Sequence, residues 1–278
     1  MKNLLLMLSV AAVIGCQAQT GEPEPKTNPV SKPKPEMKLV WSDEFDKSGA
    51  PDPAKWNYDL GNGCPNVCYW GNNELQYYTN EPKNVRVENG HLIIEAHKEK
   101  RGDREYTSTR IISKNKGDWT YGKIEVRAKL PRGKGTWPAI WMLSTDWKYG
   151  GWPASGEIDI MEHVGYDPGV VHGTIHTESY NHTKQTQKEG KITVADAQDA
   201  FHVYAVNWEK DKMEFLVDDK VYYSITRDPK EDFKGWPFDQ RFHLLMNIAV
   251  GGNWGGAQGV DDSIWPQRME VDYVRVYQ

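Results

Sequence analysis

The sequence predicts an all-β protein in which antiparallel strands form a sandwich or barrel. Three observations predict it. Segments that alternate apolar and polar residues recur along the chain, separated by turn signals. Long helical patterns are absent, so no helix follows each strand and a parallel sheet is not expected. After an N-terminal leader and spacer, about 240 of the 278 residues remain, enough for one large core.

The elements follow in chain order. Met1-Lys2-Asn3 is a short basic start, and Leu4 to Gly15 is an apolar run too short to span a bilayer. It ends in Val13-Ile14-Gly15-Cys16, which resembles a bacterial lipobox, so residues 1–15 are expected to be a lipoprotein signal and Cys16 the lipidated residue. The alternative is an ordinary secretory signal cut near Ala18. Gln17 is not the Asp of an inner-membrane retention signal, so the expected location is the outer membrane. Residues 16–37 are rich in Pro, Lys and Glu and should form an extended, solvated spacer. Residues 38–278 then form the folded domain. In an exported, oxidising setting Cys64 and Cys68 fit a local disulfide; a metal site would need more Cys or His nearby, and none is present.

Within the domain, Asn89-Gly90 is a hairpin turn leading into the strand His91–His97. Tyr121–Leu130, Phe201–Trp208, Met213–Val217 and Met269–Tyr277 alternate as half-buried strands, with Asp218-Asp219-Lys220 as a turn. Phe242–Val250 is almost continuously apolar, as for a strand covered on both faces. Ala195–Ala200 could make one short turn.

Composition narrows the function. Lys+Arg 34 against Asp+Glu 39 leaves a net charge of −5, so no basic excess exists to neutralise a nucleic acid. Trp 12 and Tyr 14 outnumber Phe 6. Such rings have an apolar face and a polar edge, which suits gripping sugars at a wet surface; the bland alternative is a core rich in large rings.

The chemistry concentrates in Gly156-Glu157-Ile158-Asp159-Ile160-Met161-Glu162. On a regular strand Glu157 and Asp159 share a face and Ile158 and Ile160 take the other. Glu162 has the wrong parity, and one extra residue, a β-bulge at Ile160-Met161, would return it to the carboxylate face. Like charges so close cannot all ionise freely, so at least one pKa should be raised. Two carboxyl groups about 5–5.5 Å apart are what a retaining glycosidase needs. A Ca²⁺ site and a solvated strand face are the other readings of three acids.

Glu-Ile-Asp-Ile-Met-Glu resembles the signature of glycoside hydrolase family 16, in the laminarinase-type form with the inserted Met. The resemblance extends from about Lys38 to Gln278 through Trp41–Phe45, Trp70–Thr79, Tyr121–Glu125, Trp137–Leu143, His172–His176 and Val271–Val276, in the expected order. It implies a β-jelly-roll sandwich of two antiparallel sheets with a concave cleft. The implied activity is hydrolysis of internal β-1,3-glucosidic bonds in laminarin-type glucans, and mixed-linkage glucan as a further substrate. A galactan hydrolase of the agarase or carrageenase kind, and a non-catalytic sugar-binding jelly roll, are the alternatives. Glu157 becomes the expected nucleophile, Glu162 the acid/base and Asp159 the assisting acid. Trp137 and Trp141 lie four apart, so parity places both on one face as sugar platforms, unless Trp137 packs in the core. Asn72 and Arg110 are expected to donate to sugar hydroxyls, Trp152 to wall the cleft beyond the cleavage point, and Asn247, Asn253 and Trp254 to rim it. The match sets His176 near the acid/base, with His172 on the same face. The resemblance also implies a structural Ca²⁺ held by Glu44, the Gly90 carbonyl and Asp272. A polysaccharide and, through Cys16, a membrane are the expected partners, and the protein is expected to be a monomer.

Overall fold

The computed structural model describes Met1 and residues 37–278; the expected signal, most of the spacer and Cys16 lie outside the described residues. Residues 37–278 form one compact unit of two sheets. The ten-stranded sheet runs Lys220–Thr226, Lys212–Val217, His202–Glu209, Gly122–Lys129, Gln267–Tyr277, His91–Arg101, Arg104–Ser108 and Gln76–Tyr78. Leu39–Asp43 and Val85–Glu88 join it beside Gln267–Tyr277 and His91–Arg101. The eight-stranded sheet runs Lys188–Thr193, Val170–His176, Glu157–Glu162, Thr136–Ser144, Phe242–Val250, Arg110–Ile112 and Asn57–Asp59, with Asp118–Trp119 also paired to Phe242–Val250. Among the described residues the strand pairs are antiparallel except Gln76–Tyr78 with Arg104–Ser108, and helix is confined to two 3₁₀ turns, Cys68–Gly71 and His182–Lys184. The all-β sandwich expected from the sequence is therefore the fold.

The alternating patterns explain the layers. In Gly122–Lys129 the residues Ile124, Val126 and Ala128 are fully buried, and in His202–Glu209 so are Tyr204, Val206 and Trp208. They face Ile140 and Met142, Ile158 and Ile160, and Val171 and Ile175 of the second sheet within one apolar cluster. Phe242–Val250 is buried along its whole length because it is central in its sheet and covered on both faces. The Asn89-Gly90 turn has both residues at positive φ, 53° and 77°, as a two-residue hairpin between right-twisted strands requires. Asp218 and Asp219 make a second such turn, at 49° and 61°. Lys220, which the sequence reading included in that turn, begins the next strand opposite Val217. Residues 195–200 form the expected short turn; the amides of Asp199 and Ala200 both donate to the Asp196 carbonyl. Cys64 and Cys68 are joined by a disulfide, with their Cα atoms 4.1 Å apart.

Candidate active site

The bulge lies where the parity of Glu162 requires it. Between Glu157–Glu162 and Thr136–Ser144 the pairing runs Leu143↔Glu157 and Trp141↔Asp159, then shifts so that Ile140 meets Met161 and Ala139 meets Glu162. On the other side Thr174 pairs with Asp159 and His172 with Glu162, so two steps on one strand match three on the other. Ile160 and Met161 are both driven into the core, and Glu162 turns back to the face of Glu157 and Asp159. Cross-strand neighbours share a face, so three rows cross the sheet. One is His172, Glu162, Ala139, Asn247, Arg110 and Asp59. The second runs Thr174, Asp159, Trp141, Leu245 and Ile112, and the third His176, Glu157, Leu143 and His243.

Around these rows the aromatic and amide side chains are tied to one another. Trp137 Nε1 donates to Glu162 Oε1 at 3.0 Å, and Trp141 Nε1 donates to Asn247 Oδ1 at 2.8 Å. Both rings stay partly exposed, which is the state of a platform and not of a core residue. Asn247 is buried and lies on the floor of the cleft, not at its rim. The Arg110 guanidinium sits between two indoles, 4.6 Å from the Trp70 centroid and 4.6 Å from that of Trp141. Its Nε is 3.2 Å from Asp59 Oδ2. It is buried, so its first task is to fix the back of the Trp141 platform, at about 0.5–2 kcal/mol per cation–π contact.

The two ends of the cleft are built from loops. The backbone N–H of Asn253 donates to the Asn72 carbonyl at 2.7 Å, and Asn73 Nδ2 donates to Asn253 Oδ1 at 2.9 Å. Asn72 Nδ2 also reaches Glu74 Oε1 at 3.4 Å. Trp254 stands edge-on to Trp137 at 5.6 Å and to His172 at 5.0 Å. At the opposite end Trp152, 38% exposed, leans over His176 at 6.2 Å and His182 at 5.1 Å.

The three acids are held above the usual carboxylate range. Burial is the main cause in each, since it disfavours the charged form. Glu157 is pushed to about 8, with the Glu162 charge adding to burial and Arg110, Trp152 and Asp159 opposing it. Glu162 is pushed to about 7, opposed by the Trp137 hydrogen bond and by His172. Asp159 is raised well above its ordinary value, by burial and then by the charges of Glu157 and Glu162. With all three raised, the trio favours holding a proton at neutral pH. The hydrogen bond between Asp159 and Glu157 favours a protonated Asp159 beside an ionised Glu157.

One expectation is corrected by the register. His176, expected beside Glu162, is opposite Glu157. Its Nε2 lies 3.8 Å from Glu157 Oε1 and 3.4 Å from Asp159 Oδ2. His172 takes the place next to Glu162, and its Nδ1 is 2.5 Å from Glu189 Oε1. The sequence reading missed the roles of Trp70 and Asp59 in clamping Arg110. It also missed Glu74, a buried carboxyl raised to about 7 mainly by burial, which accepts a hydrogen bond from Gln76 Nε2 at 2.6 Å. The available signal for Glu74 was a carboxyl two residues before Gln76 at the start of a strand.

The calcium candidates lie on the other sheet. Asp43 pairs with Val274 and Leu92 with Val271, so Glu44 and Gly90 lie beside the ends of strands that flank Gln267–Tyr277, which carries Asp272. Two carboxylates and a carbonyl are a donor set suited to Ca²⁺. Glu44 accepts from Arg275 Nε and Nη2 at 3.0 and 2.8 Å, and Asp272 is held by Arg127 and by His91. A bound ion would exchange with these cations.

Comparison with known proteins agrees with this geometry. Residues 72–275 match the family described as glycosyl hydrolases family 16. Over 284 aligned residues the chain is 52% identical to a β-glucanase of Rhodothermus marinus, covering 100% of this chain and 94% of that one. The solved laminarinase of Rhodothermus marinus superposes with a TM-score of 0.84 at 54% identity, over 87% of this chain and 98% of the other. A solved non-specific endo-β-1,3(4)-glucanase of the same family gives 0.82 at 51% identity, over 88% and 92%.

Proposed function

The chain belongs to glycosyl hydrolases family 16, and on that premise we propose a retaining endo-glycosidase that cuts internal β-1,3-glucosidic bonds in laminarin-type glucans. The observation that carries the reading is the bulged strand. It sets Glu157, Asp159 and Glu162 on one cleft face beside two partly exposed indoles.

In the first step Glu162 protonates the glycosidic oxygen while the ionised Glu157 attacks the anomeric carbon, giving a covalent glycosyl-enzyme. Glu162, now a carboxylate, then takes a proton from the water that releases the sugar. Trp137 occupies Glu162 Oε1, which leaves the second oxygen to carry the proton. Asp159 hydrogen-bonds Glu157 and gives the nucleophile a neutral neighbour when protonated. Asn72 and Arg110 supply polar contacts to the sugar, Trp137 and Trp141 stack on its rings, and Trp152 and Trp254 bound the cleft at its two ends. His176 orients Glu157 and Asp159, and Asn247 orients Trp141.

Mixed-linkage β-1,3/1,4-glucan is a further substrate, because stacking tolerates changes in ring orientation and a similar enzyme is described as a non-specific endo-β-1,3(4)-glucanase. The test is the initial rate on laminarin, mixed-linkage glucan, agarose, carrageenan and xyloglucan at equal mass concentration. Laminarin is expected to be fastest. A faster rate on agarose or carrageenan would overturn the substrate and leave the two-step mechanism standing.

Two further readings belong here. The donor set of Glu44, Gly90 and Asp272 suits a structural Ca²⁺. Its removal by a chelator should lower the melting temperature, by the equivalent of about 2.7 kcal/mol at 100-fold saturation, without abolishing activity at moderate temperature. The sequence around Cys16 supports a lipid anchor to the bacterial outer membrane. Cys16→Ser should release the protein from the membrane fraction or block its maturation, and a wild-type N-terminal peptide without lipid mass would contradict the anchor.

A further inference from the structure

The same ring nitrogen of His176 faces two carboxylates. Nε2 is 3.4 Å from Asp159 Oδ2 and 3.8 Å from Glu157 Oε1, and one ligand atom from each of the three residues falls within 4.8 Å of the others. Donors bound at about 2.0–2.2 Å to one tetrahedral ion stand about 3.4 Å apart, so the His176–Asp159 pair already has that spacing and the His176–Glu157 pair, at 3.8 Å, is close to it. Asp159 is 2% exposed, and its Oδ2, aimed at His176, has no hydrogen-bond partner. Glu157 is partly exposed, so the fourth position opens toward the cleft.

We propose that Glu157, Asp159 and His176 form a binding site for a borderline divalent transition metal such as Zn²⁺, and that the ion and the glucan exclude one another. One imidazole nitrogen and two carboxylate oxygens are a donor set that zinc accepts, with water as the fourth ligand. Ca²⁺ and Mg²⁺ want six or more oxygens and are poorly served. Binding releases the protons that the acids hold, since the ligands must be deprotonated. An ion there ties up the proposed nucleophile, so the inhibition half of the proposal rests on the catalytic reading while the binding half does not. Among the described residues the pattern is specific to this histidine. His202 also lies between two acids, but Asp196 meets its Nε2 and Asp218 its Nδ1, so no single ion can take all three.

The experiment uses the folded protein with Zn²⁺ in equilibrium dialysis and Co²⁺ as the visible-absorption probe. The expected result is one site per chain with the intense absorption of tetrahedral Co²⁺, and displacement of that signal by added laminari-oligosaccharide. Affinity should fall at least about tenfold in His176→Ala and in Asp159→Asn and stay unchanged in His202→Ala. Zn²⁺ should inhibit hydrolysis competitively, with activity restored by chelation, whereas Mg²⁺ should not inhibit. The wild-type displacement needs no variant, so a misfolded mutant leaves the test intact. Absence of stoichiometric binding, octahedral Co²⁺ absorption, a signal indifferent to oligosaccharide, or affinity unchanged in His176→Ala would each overturn the proposal. Zn²⁺ bound at this site with hydrolysis undiminished would overturn the catalytic roles of Glu157 and Asp159 while leaving the metal site.

Discussion

The outward faces of the two sheets treat their carboxylates in opposite ways. On the ten-stranded sheet Glu44 meets Arg275, Asp272 meets Arg127, Glu270 meets Lys129 and Glu125 meets Lys123. The first three acids meet a cation from a neighbouring strand and Glu125 one from its own strand, and the Arg275 hydrogen bonds hold Glu44 below its usual value. On the cleft face Glu74, Glu157, Asp159 and Glu162 are largely withdrawn from water and raised. Arg110 opposes the shifts of Glu74 and Glu157 but is itself paired with Asp59. A pattern of alternating charge along a strand therefore marks no function. Function is marked where acids are buried together, which costs stability and is kept where it supplies reactivity.

The comparison breaks most sharply at the acids. Glu157→Gln should lower kcat by at least about 10³-fold while leaving glucan binding intact, because it removes the attacking oxygen. Glu162→Ala should be partly rescued by azide on an activated aryl glycoside, with a product of retained configuration. An inverted product from the wild type would sink the two-step mechanism. Asp159→Asn should be impaired less than either, since it acts through its neighbours. Arg127→Ala on the opposite face should leave the rate unchanged.

Next in size is the platform. Trp141→Ala should lower kcat/KM on laminarin at least about tenfold, equivalent to about 1.4 kcal/mol. It removes a stacking face and also one of the two indoles around Arg110. If Trp70→Ala gave a similar loss, the Arg110 clamp would account for the effect. If Trp70→Ala were much milder, direct stacking on the sugar would.

A smaller effect should appear in stability against pH. The folded-state pKa values of Glu157 and Glu162 lie above their unfolded values, so between about pH 4.5 and 8 the native state binds more protons than the unfolded chain. The slope is then negative: this contribution is fully present below the unfolded pKa and is lost as pH rises through the folded values. Glu157→Gln should therefore raise the melting temperature at pH 8 and change it little at pH 4.5. Each 1 kcal/mol recovered is worth about 2–4 °C in a domain of this size. An equal gain at both pH values would mean that charge is not the cause.

The bulge was legible in the sequence because one parity violation, Glu162, has one cheap repair. The layers were legible because Ile124, Val126 and Ala128, or Tyr204, Val206 and Trp208, repeat every second residue. The histidines were half legible. Parity puts His172 and His176 on one face, but which acid each meets depends on the length of the turn after Glu162. That turn, from His163 to Gly169, carries no two-residue hairpin signal. The Arg110 clamp was not legible. Asp59 comes from a three-residue edge strand and Trp70 from a short 3₁₀ turn, so neither sits in a periodic segment. Their meeting is a consequence of register across strands far apart in the chain.

The smallest effect tests the other side of the comparison. The Glu44–Arg275 pair is about a third exposed on both partners, so solvent screens it and its worth should be about 0–1 kcal/mol. A double-mutant cycle with Glu44→Gln and Arg275→Met should return a coupling in that range, shrinking with added salt. The Glu44 contribution should be present above the unfolded pKa and fade as pH falls through the lowered folded value, the reverse of the cleft acids. Calcium changes the expectation in a way that can be read. If the ion competes for Glu44, Glu44→Gln should cost more in saturating Ca²⁺ than in chelator, and Arg275→Met should become stabilising because it frees a ligand. If both variants behave alike with and without Ca²⁺, the pair is an ordinary surface bridge and no ion uses Glu44.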